Sequence, residues 1–364
     1  VVVDARELLS MGFVEVLVRL PKILRGLRAI AAAAERERPE LAIVIDYPDF
    51  HFRLARRLKR LRIPVVYYIP PKVWVWRRSR LRLLKELFVR VLCILPFEEE
   101  LYREAGIPVR YVGNPLADEL PLTLTRADAR ARLGVGAGER VLVLMPGSRP
   151  SELERHLELM LDAAELVAKK VGPLRVLMPL PTTADLAALR ARVAEWETRE
   201  GRARGGLSIR VSHGDAHECL VAADAGLIKS GTSTLEAGIL GCPHAVVYKP
   251  AQPTPWIYRN LIRYKGPVGL VNLVHGWKKG EPLLARELLL EGATVEALAT
   301  EAIALLTDAG RIASAREGLA RLRAIVTAGR ESPSRVAARD IAALLGAMPA
   351  SDRVARVSED ATHG

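Results

Sequence analysis

Three short stretches bring together residue types that can hold an anion or move a proton. The first is MPGSRPSELERH at 145–156, which follows the apolar run VLVL at 141–144. Pro146-Gly147 makes a tight turn, and Gly147 lets the backbone approach a ligand closely. Pro150 suits the first helical position. The N–H groups and dipole of a helix start attract phosphate. Beside Ser148, Arg149 adds a permanently charged, fork-shaped donor. The same residues would equally make a capped helix with a surface arginine. The second stretch is KSGTSTLEAGILGCP at 229–243. Ser230, Gly231 and Thr232 follow an apolar run and open a helix. Glu236 lies about one turn further on, where a carboxylate can accept bonds from ribose hydroxyls or simply offset the helix dipole. Two such helix starts facing one cleft point to a diphosphate more strongly than either does alone. The third is IDYPDFHFRLA at 45–55. Of Asp46 and Asp49, one could cap a helix and the other serve as a general base in a dry cleft.

Other stretches suggest a surface. In YYIPPKVWVWRRSR at 67–80, Trp74 and Trp76 stand beside Arg77 and further arginines. That mixture suits a membrane interface or a lipid headgroup, or a core with an arginine rim. In LLSMGFVEVLVRLPKILRGLRAI at 8–30, Met11, Phe13, Val14 and Leu17 exceed what one buried helix stripe needs and alternate with basic residues. This is a candidate interfacial helix, or a helix buried against a sheet. Asn272, in VGLVNLVHG after the basic amphipathic stretch PWIYRNLIRYK, could bond a sugar or phosphate or make a turn.

Charge narrows the partners. The formal net charge is +12, and Arg53 to Arg90 holds thirteen Lys/Arg against the single acid Glu86. An anionic membrane surface or a phosphorylated substrate would answer that field. Nucleic acid is not expected: aromatic residues are only 5% of the chain and no RNA-binding signature is present. The three cysteines form no CxxC pair and the seven histidines are scattered, so neither a metal site nor a cofactor is expected. No apolar run approaches the roughly 20 residues that span a bilayer. No signal peptide is visible, and a cytoplasmic chain is expected.

The elements that must position these residues alternate between strand-like and helical. LAIVID, IPVVYYI and VLCILP are separated by two helical stretches. VLVLMPG, LRVLMPL, LSIRVS, AGLIKS and HAVVYK repeat the pattern further on. The α/β alternation implies two parallel sheets covered by helices, joined by a linker at 115–135 that holds prolines and a short helix. After Thr294 the chain reads as helix. The expected domains are an N-terminal lobe at 1–120, a C-terminal lobe at 121–324, helices at 325–350 that return to the first lobe, and a frayed tail at 351–364. Ligands of open parallel sheets bind at the carboxyl ends of the strands, here in a cleft between lobes.

Taken in order, MGFVEVLVRLPKIL, IDYPDFHFRLA, VWVWR, ILPFE, VGNPLAD, LMPGSRPSE, SGTSTLEAGILGCP and VYK resemble the lipid-A-disaccharide synthases, glycosyltransferases of the GT-B fold. The resemblance runs from about Leu8 to about Thr294. It implies two Rossmann-like lobes and an inverting transfer at the inner face of the bacterial inner membrane. The donor would be UDP-2,3-diacylglucosamine and the acceptor 2,3-diacylglucosamine 1-phosphate, giving the β-1,6 disaccharide 1-phosphate and UDP. Asp49 matches the second aspartate of the family's IDxPDF motif and is expected to be the base. Arg149 would be catalytic. Gly147, Ser148, Arg149, Ser230, Gly231, Thr232, Glu236 and Asn272 would bind UDP. Met11, Phe13, Val14, Leu17, Trp74, Trp76 and Arg77 would meet lipid. A homodimer is expected by resemblance alone. The chain departs from the family at Asn114, Pro70 and Val271 and in the loop after Asn272. It opens at VVVDARELL with no initiator Met, and the family's first βα unit with its glycine-rich loop is expected to be missing. Another GT-B enzyme of UDP-sugars, or a non-catalytic membrane-surface relative, fits the same residues.

Overall fold

The computed structural model describes residues 13–74, 79–199, 206–250, 266–276, 282–327 and 331–347, with backbone alone for 13–20. Met11, Trp76 and Arg77 lie outside the described residues, as do the side chains of Phe13, Val14 and Leu17. So does the stretch PWIYRNLIRYK. The described chain falls into two compact units, one drawn from 1–115 and 331–364, the other from 116–330.

The first unit contains α1 (Phe13–Glu37), β1 (Ala42–Ile45), α2 (Pro48–Arg60), β2 (Val65–Tyr68), α3 (Arg80–Leu87), β3 (Arg90–Cys93), α4 (Pro96–Glu104) and β4 (Val109–Tyr111). Its strands form a parallel sheet in the order β1-β2-β3-β4. Strand side chains alternate between the two faces. Val65, Tyr67, Val91 and Cys93 meet Phe50, Leu54 and Leu58 of α2 and Ile23, Leu27 and Ala31 of α1. The second half of α1 is therefore a core helix. Val66, Leu92 and Val112 point the other way and are covered by Ala337 of the last described helix, which spans Pro333–Ala347.

The second unit opens with α5 (Leu116–Glu119) and α6 (Arg126–Leu133). The stretch read as a linker is built into this unit. Thr125 caps α6 through the Asp128 N–H, and Arg130 is 6% exposed. Its guanidinium bonds the Ala222, Gly136 and Ala137 carbonyls and the Asp224 carboxylate. Then follow β5 (Val141–Met145), α7 (Pro150–Val171), β6 (Leu174–Leu180), α8 (Leu186–Thr198), β7 (Leu207–His213), α9 (Ala216–Ala222), β8 (Ala225–Lys229), α10 (Thr232–Ile239) and β9 (His244–Tyr248). The unit closes with α11 (Leu270–His275), β10 (Glu287–Leu289), α12 (Val295–Thr307) and α13 (Ala309–Thr327). The Pro333–Ala347 helix, α14, belongs to the first unit.

The second sheet is parallel throughout, in the order β10-β9-β8-β5-β6-β7. Leu142, Leu144, Val176, Met178, Leu227 and Val247 share one face with the buried sides of α7 and α12. Val141, Val143, Leu177, Ile228 and Val246 on the other face are also fully buried. A sheet covered on both faces explains why these strands read as unbroken apolar runs. The order reverses between β5 and β8: later strands are added outward from β5 in one direction, then from β8 in the other. A crevice forms outside the carboxyl ends of two such strands, because their connections leave in opposite directions. Met145 and Lys229 end those strands. Among the described residues no helix is long and apolar enough to cross a membrane.

Candidate active site

A pocket of about 410 Å³ opens at this reversal. The turn after β5 contributes Gly147, Ser148 and Arg149. The end of β6 contributes Pro179 to Pro181, and the start of α10 contributes Gly231, Thr232 and Ser233. Glu152, Lys229 and Glu236 complete the polar lining. Of the expected nucleotide-binding residues, Gly147, Ser148, Arg149, Gly231, Thr232 and Glu236 thus lie together. Ser230 is not in the lining, and its N–H bonds the Val247 carbonyl.

The turn is folded around a carboxylate. Gly147 has φ +127°, a conformation L side chains rarely adopt. A Cβ there would stand 2.5 Å from Glu152 Cβ and 2.6 Å from its Oε2. Glu152 Oε2 accepts the Ser148 N–H at 3.0 Å. Oε1 accepts Lys229 Nζ at 2.8 Å and Arg149 Nη1 at 3.3 Å. Burial alone would push this carboxyl up. The Lys229 ammonium, the Ser148 N–H and the Arg149 charge outweigh it and hold the group below its ordinary value. The start of α7 therefore carries its own anion, and the cationic side chains supply much of the pocket's positive character.

His156, fully buried one turn into α7, fixes the neighbouring strand end. Its Nδ1 faces the Glu152 carbonyl at 2.8 Å and must be the donor, so Nε2 accepts the Lys249 N–H at 2.9 Å. Burial lowers the basicity of this ring, which keeps the neutral tautomer that both bonds require. Glu236 stands 3.8 Å from His217 Nε2. Burial pushes its carboxyl up, His217 pulls it down and Glu119 pushes it further up.

Asn272 departs from expectation. It is fully buried, its Nδ2 donates to the Ala285 carbonyl and to Glu287, and its Oδ1 accepts the Ala285 N–H. This amide ties α11 to the chain before β10 and leaves nothing to offer a nucleotide. Lys229, Glu152 and Ser233 are polar lining residues that local sequence reading missed. The signal for Lys229 was a lysine ending the apolar run AGLI.

The first unit assembles a second polar corner at the carboxyl ends of β1 and β2. Asp46 and Tyr47 both have positive φ, +50° and +43°. Consecutive non-glycine residues in this region cost about 1 kcal/mol or more each and persist only where neighbours hold them. The Tyr67 hydroxyl donates to the Asp46 carbonyl at 2.9 Å, and His51 Nε2 donates to the Ile45 carbonyl at 3.1 Å. Tyr47 holds the N-cap position of α2 and makes no side-chain cap bond, so neither aspartate occupies that position. Asp49 Oδ1 accepts Arg80 Nη2 at 2.5 Å, with the arginine 8% and the aspartate 71% exposed. Among the described residues this carboxylate stands largely open to water. Trp74 is tied inward: its Nε1 donates to Glu98 Oε1 at 3.1 Å and its ring meets Phe97 edge-on.

The family model described as lipid-A-disaccharide synthetase matches residues 1–339. The lipid-A-disaccharide synthase of Myxococcus xanthus is 38% identical over 346 residues, covering 95% of this chain and 85% of that protein. Among solved structures, a putative UDP-N-acetylglucosamine 2-epimerase from Listeria monocytogenes aligns with TM-score 0.55 at 14% identity, over 92% of this chain and 79% of that one. Acinetobacter baumannii MurG aligns with TM-score 0.50 at 14% identity, over 91% and 80%. At such identities these two speak for the fold alone, which is GT-B-like.

Proposed function

The chain belongs to the lipid-A-disaccharide synthetase family, a family of glycosyltransferases, and from that premise we propose that it transfers a diacylglucosamine unit from UDP to 2,3-diacylglucosamine 1-phosphate. The product is the β-1,6-linked disaccharide 1-phosphate. The observation that carries this reading is the pocket at the strand-order reversal. Arg149 and Lys229, the Gly147 turn and the start of α10 surround a space of about 410 Å³, a size that suits a small-molecule ligand.

In this reading the 6-hydroxyl oxygen of the acceptor attacks the donor's anomeric carbon, and the bond from that carbon to the diphosphate oxygen breaks with inversion. The hydroxyl proton passes to Asp49. Charge builds on the departing UDP, and Arg149 meets it with a fixed guanidinium. Glu236 receives the ribose hydroxyls. The basic surface between Arg53 and Arg90 would meet anionic lipid at the inner face of the inner membrane, where both substrates would be held by their acyl chains.

The test supplies both defined substrates to the purified protein and follows the products by mass spectrometry. Disaccharide 1-phosphate and UDP in equal amounts are expected. Release of UDP without disaccharide, or no turnover of either substrate, would overturn the reading.

A further inference from the structure

Lys229 ends β8 at the floor of the pocket with its side chain 19% exposed. Its ammonium carries three donors, and the structure gives one of them a partner, Glu152 Oε1 at 2.8 Å. The same Nζ lies 3.9 Å from the place a Cβ on Gly231 would occupy. It therefore reaches both the turn after β5 and the start of α10. Glu152 gathers Lys229, Arg149 and the Ser148 N–H onto one carboxylate that is itself 9% exposed. Two cations meet at this one carboxylate, while the pocket's other carboxylate, Glu236, lies further along α10. A charge pair meant only to stabilise the fold would have no need to line the pocket beside two helix starts.

On the reading of this pocket as the UDP site, we infer that Lys229 binds the diphosphate directly and that Glu152 is the residue that positions it. Nζ keeps its bond to Glu152 and gives a second donor to a phosphate oxygen. As negative charge builds on the departing diphosphate, that bond strengthens alongside Arg149. Glu152 touches neither phosphate nor sugar. It fixes where the two cations stand.

Titration calorimetry with UDP and with uridine tests this on the full chain, using Lys229→Met, Lys229→Arg and the double variant Lys229→Met/Glu152→Gln. The loss of one charge-assisted bond should weaken UDP binding about 10- to 100-fold in Lys229→Met, while uridine binding is unchanged. Lys229→Arg should recover most of the UDP affinity. The double variant removes the pair without leaving a lone buried charge, so its melting temperature should return toward that of the unaltered protein while UDP affinity stays low. If UDP affinity returns together with the melting temperature, Lys229 is structural and the inference falls. Equal UDP affinity in Lys229→Met and the unaltered chain also sinks it, with the functional reading intact. Failure of the unaltered chain to bind UDP sinks the functional reading itself.

Discussion

At the scale of single residues, the proposed reaction assigns leaving-group stabilisation to Arg149 and proton removal to Asp49. Arg149 is half exposed and uses one long bond, 3.3 Å to Glu152, so most of its donors remain for a ligand. Arg149→Ala should lower kcat about 10²- to 10³-fold, the cost of removing one preorganised donor at a developing negative charge. Arg149→Lys keeps the charge but loses the planar fork, and its kcat should fall between the two. Steady-state kinetics with the donor varied would show it; a rise in KM at unchanged kcat would mean that Arg149 only binds. Asp49 makes a different prediction. Asparagine can still accept the Arg80 bond, so Asp49→Asn should fold normally and bind UDP as before. Its kcat should drop about 10²- to 10⁴-fold, because the amide cannot take the hydroxyl proton. Near-normal turnover in this variant would remove Asp49 from the mechanism.

At the scale of elements, α4 holds a titrating group beneath the Trp74 loop. Glu98 is 2% exposed, and burial pushes its carboxyl up to about 7, against the pull of the Trp74 N–H and Lys72. The folded chain therefore keeps a proton that the unfolded chain releases near the ordinary value of 4.5. Stability from this group is complete below about 4.5, falls as pH rises and is gone above about 7. His51, His156 and His244 act in the opposite sense, since burial lowers all three; their contribution is lost as pH falls below 6.5. The difference between the original chain and Glu98→Gln isolates the carboxyl. Chemical denaturation at pH 5 and pH 8 should show that difference moving against the original chain by a few kcal/mol at most as pH rises; a flat difference would contradict the burial argument. The same scale shows what sequence reading could reach. Doubly covered strands announce themselves as VLVL or AVVY. β4 and β10, with only VRY and ELL, carry too few apolar residues to stand out. The acidic α4 shows no helical pattern that stands out, and α6 lies in the stretch that reads as a linker with a short helix. The Ser148-Arg149 turn and the SGT helix start were legible because their chemistry is local. The Glu152–Lys229 pair was not: its members are 77 residues apart and meet because β5 and β8 are neighbours. Asn272 was misread because a loop asparagine and a buried one look alike until the surrounding carbonyls are known.

At the scale of the whole molecule, the last described helix completes the first unit. α14 covers the sheet face of Val66, Leu92 and Val112 with Ala337. Gly113, at φ +90°, leaves room for Pro333, whose Cγ would lie 2.9 Å from a Cβ at that position. The polar fastening is Asp340, 5% exposed. Its Oδ1 accepts Arg110 Nη1 at 2.8 Å, and its Oδ2 forms an ion pair with Arg90 Nε at 3.2 Å. These arginines emerge from β4 and β3, so one carboxylate from the end of the chain grips two neighbouring strands. Removing one partner of a buried pair is costly because the other charges stay behind. Here the arginines are 44% and 29% exposed, and water can re-solvate them. Asp340→Ala should therefore cost about 1–3 kcal/mol rather than the full penalty. Asp340→Asn, which can still accept the Arg110 bond, should cost less. Hydrogen exchange would locate the loss. Amides of β2 to β4 should lose protection while those of β5, β6 and β8 keep theirs, because α14 buries its apolar face in the first unit. Equal loss in both sheets would mean that the two units unfold as one, and that the fastening at Asp340 stabilises the chain as a whole.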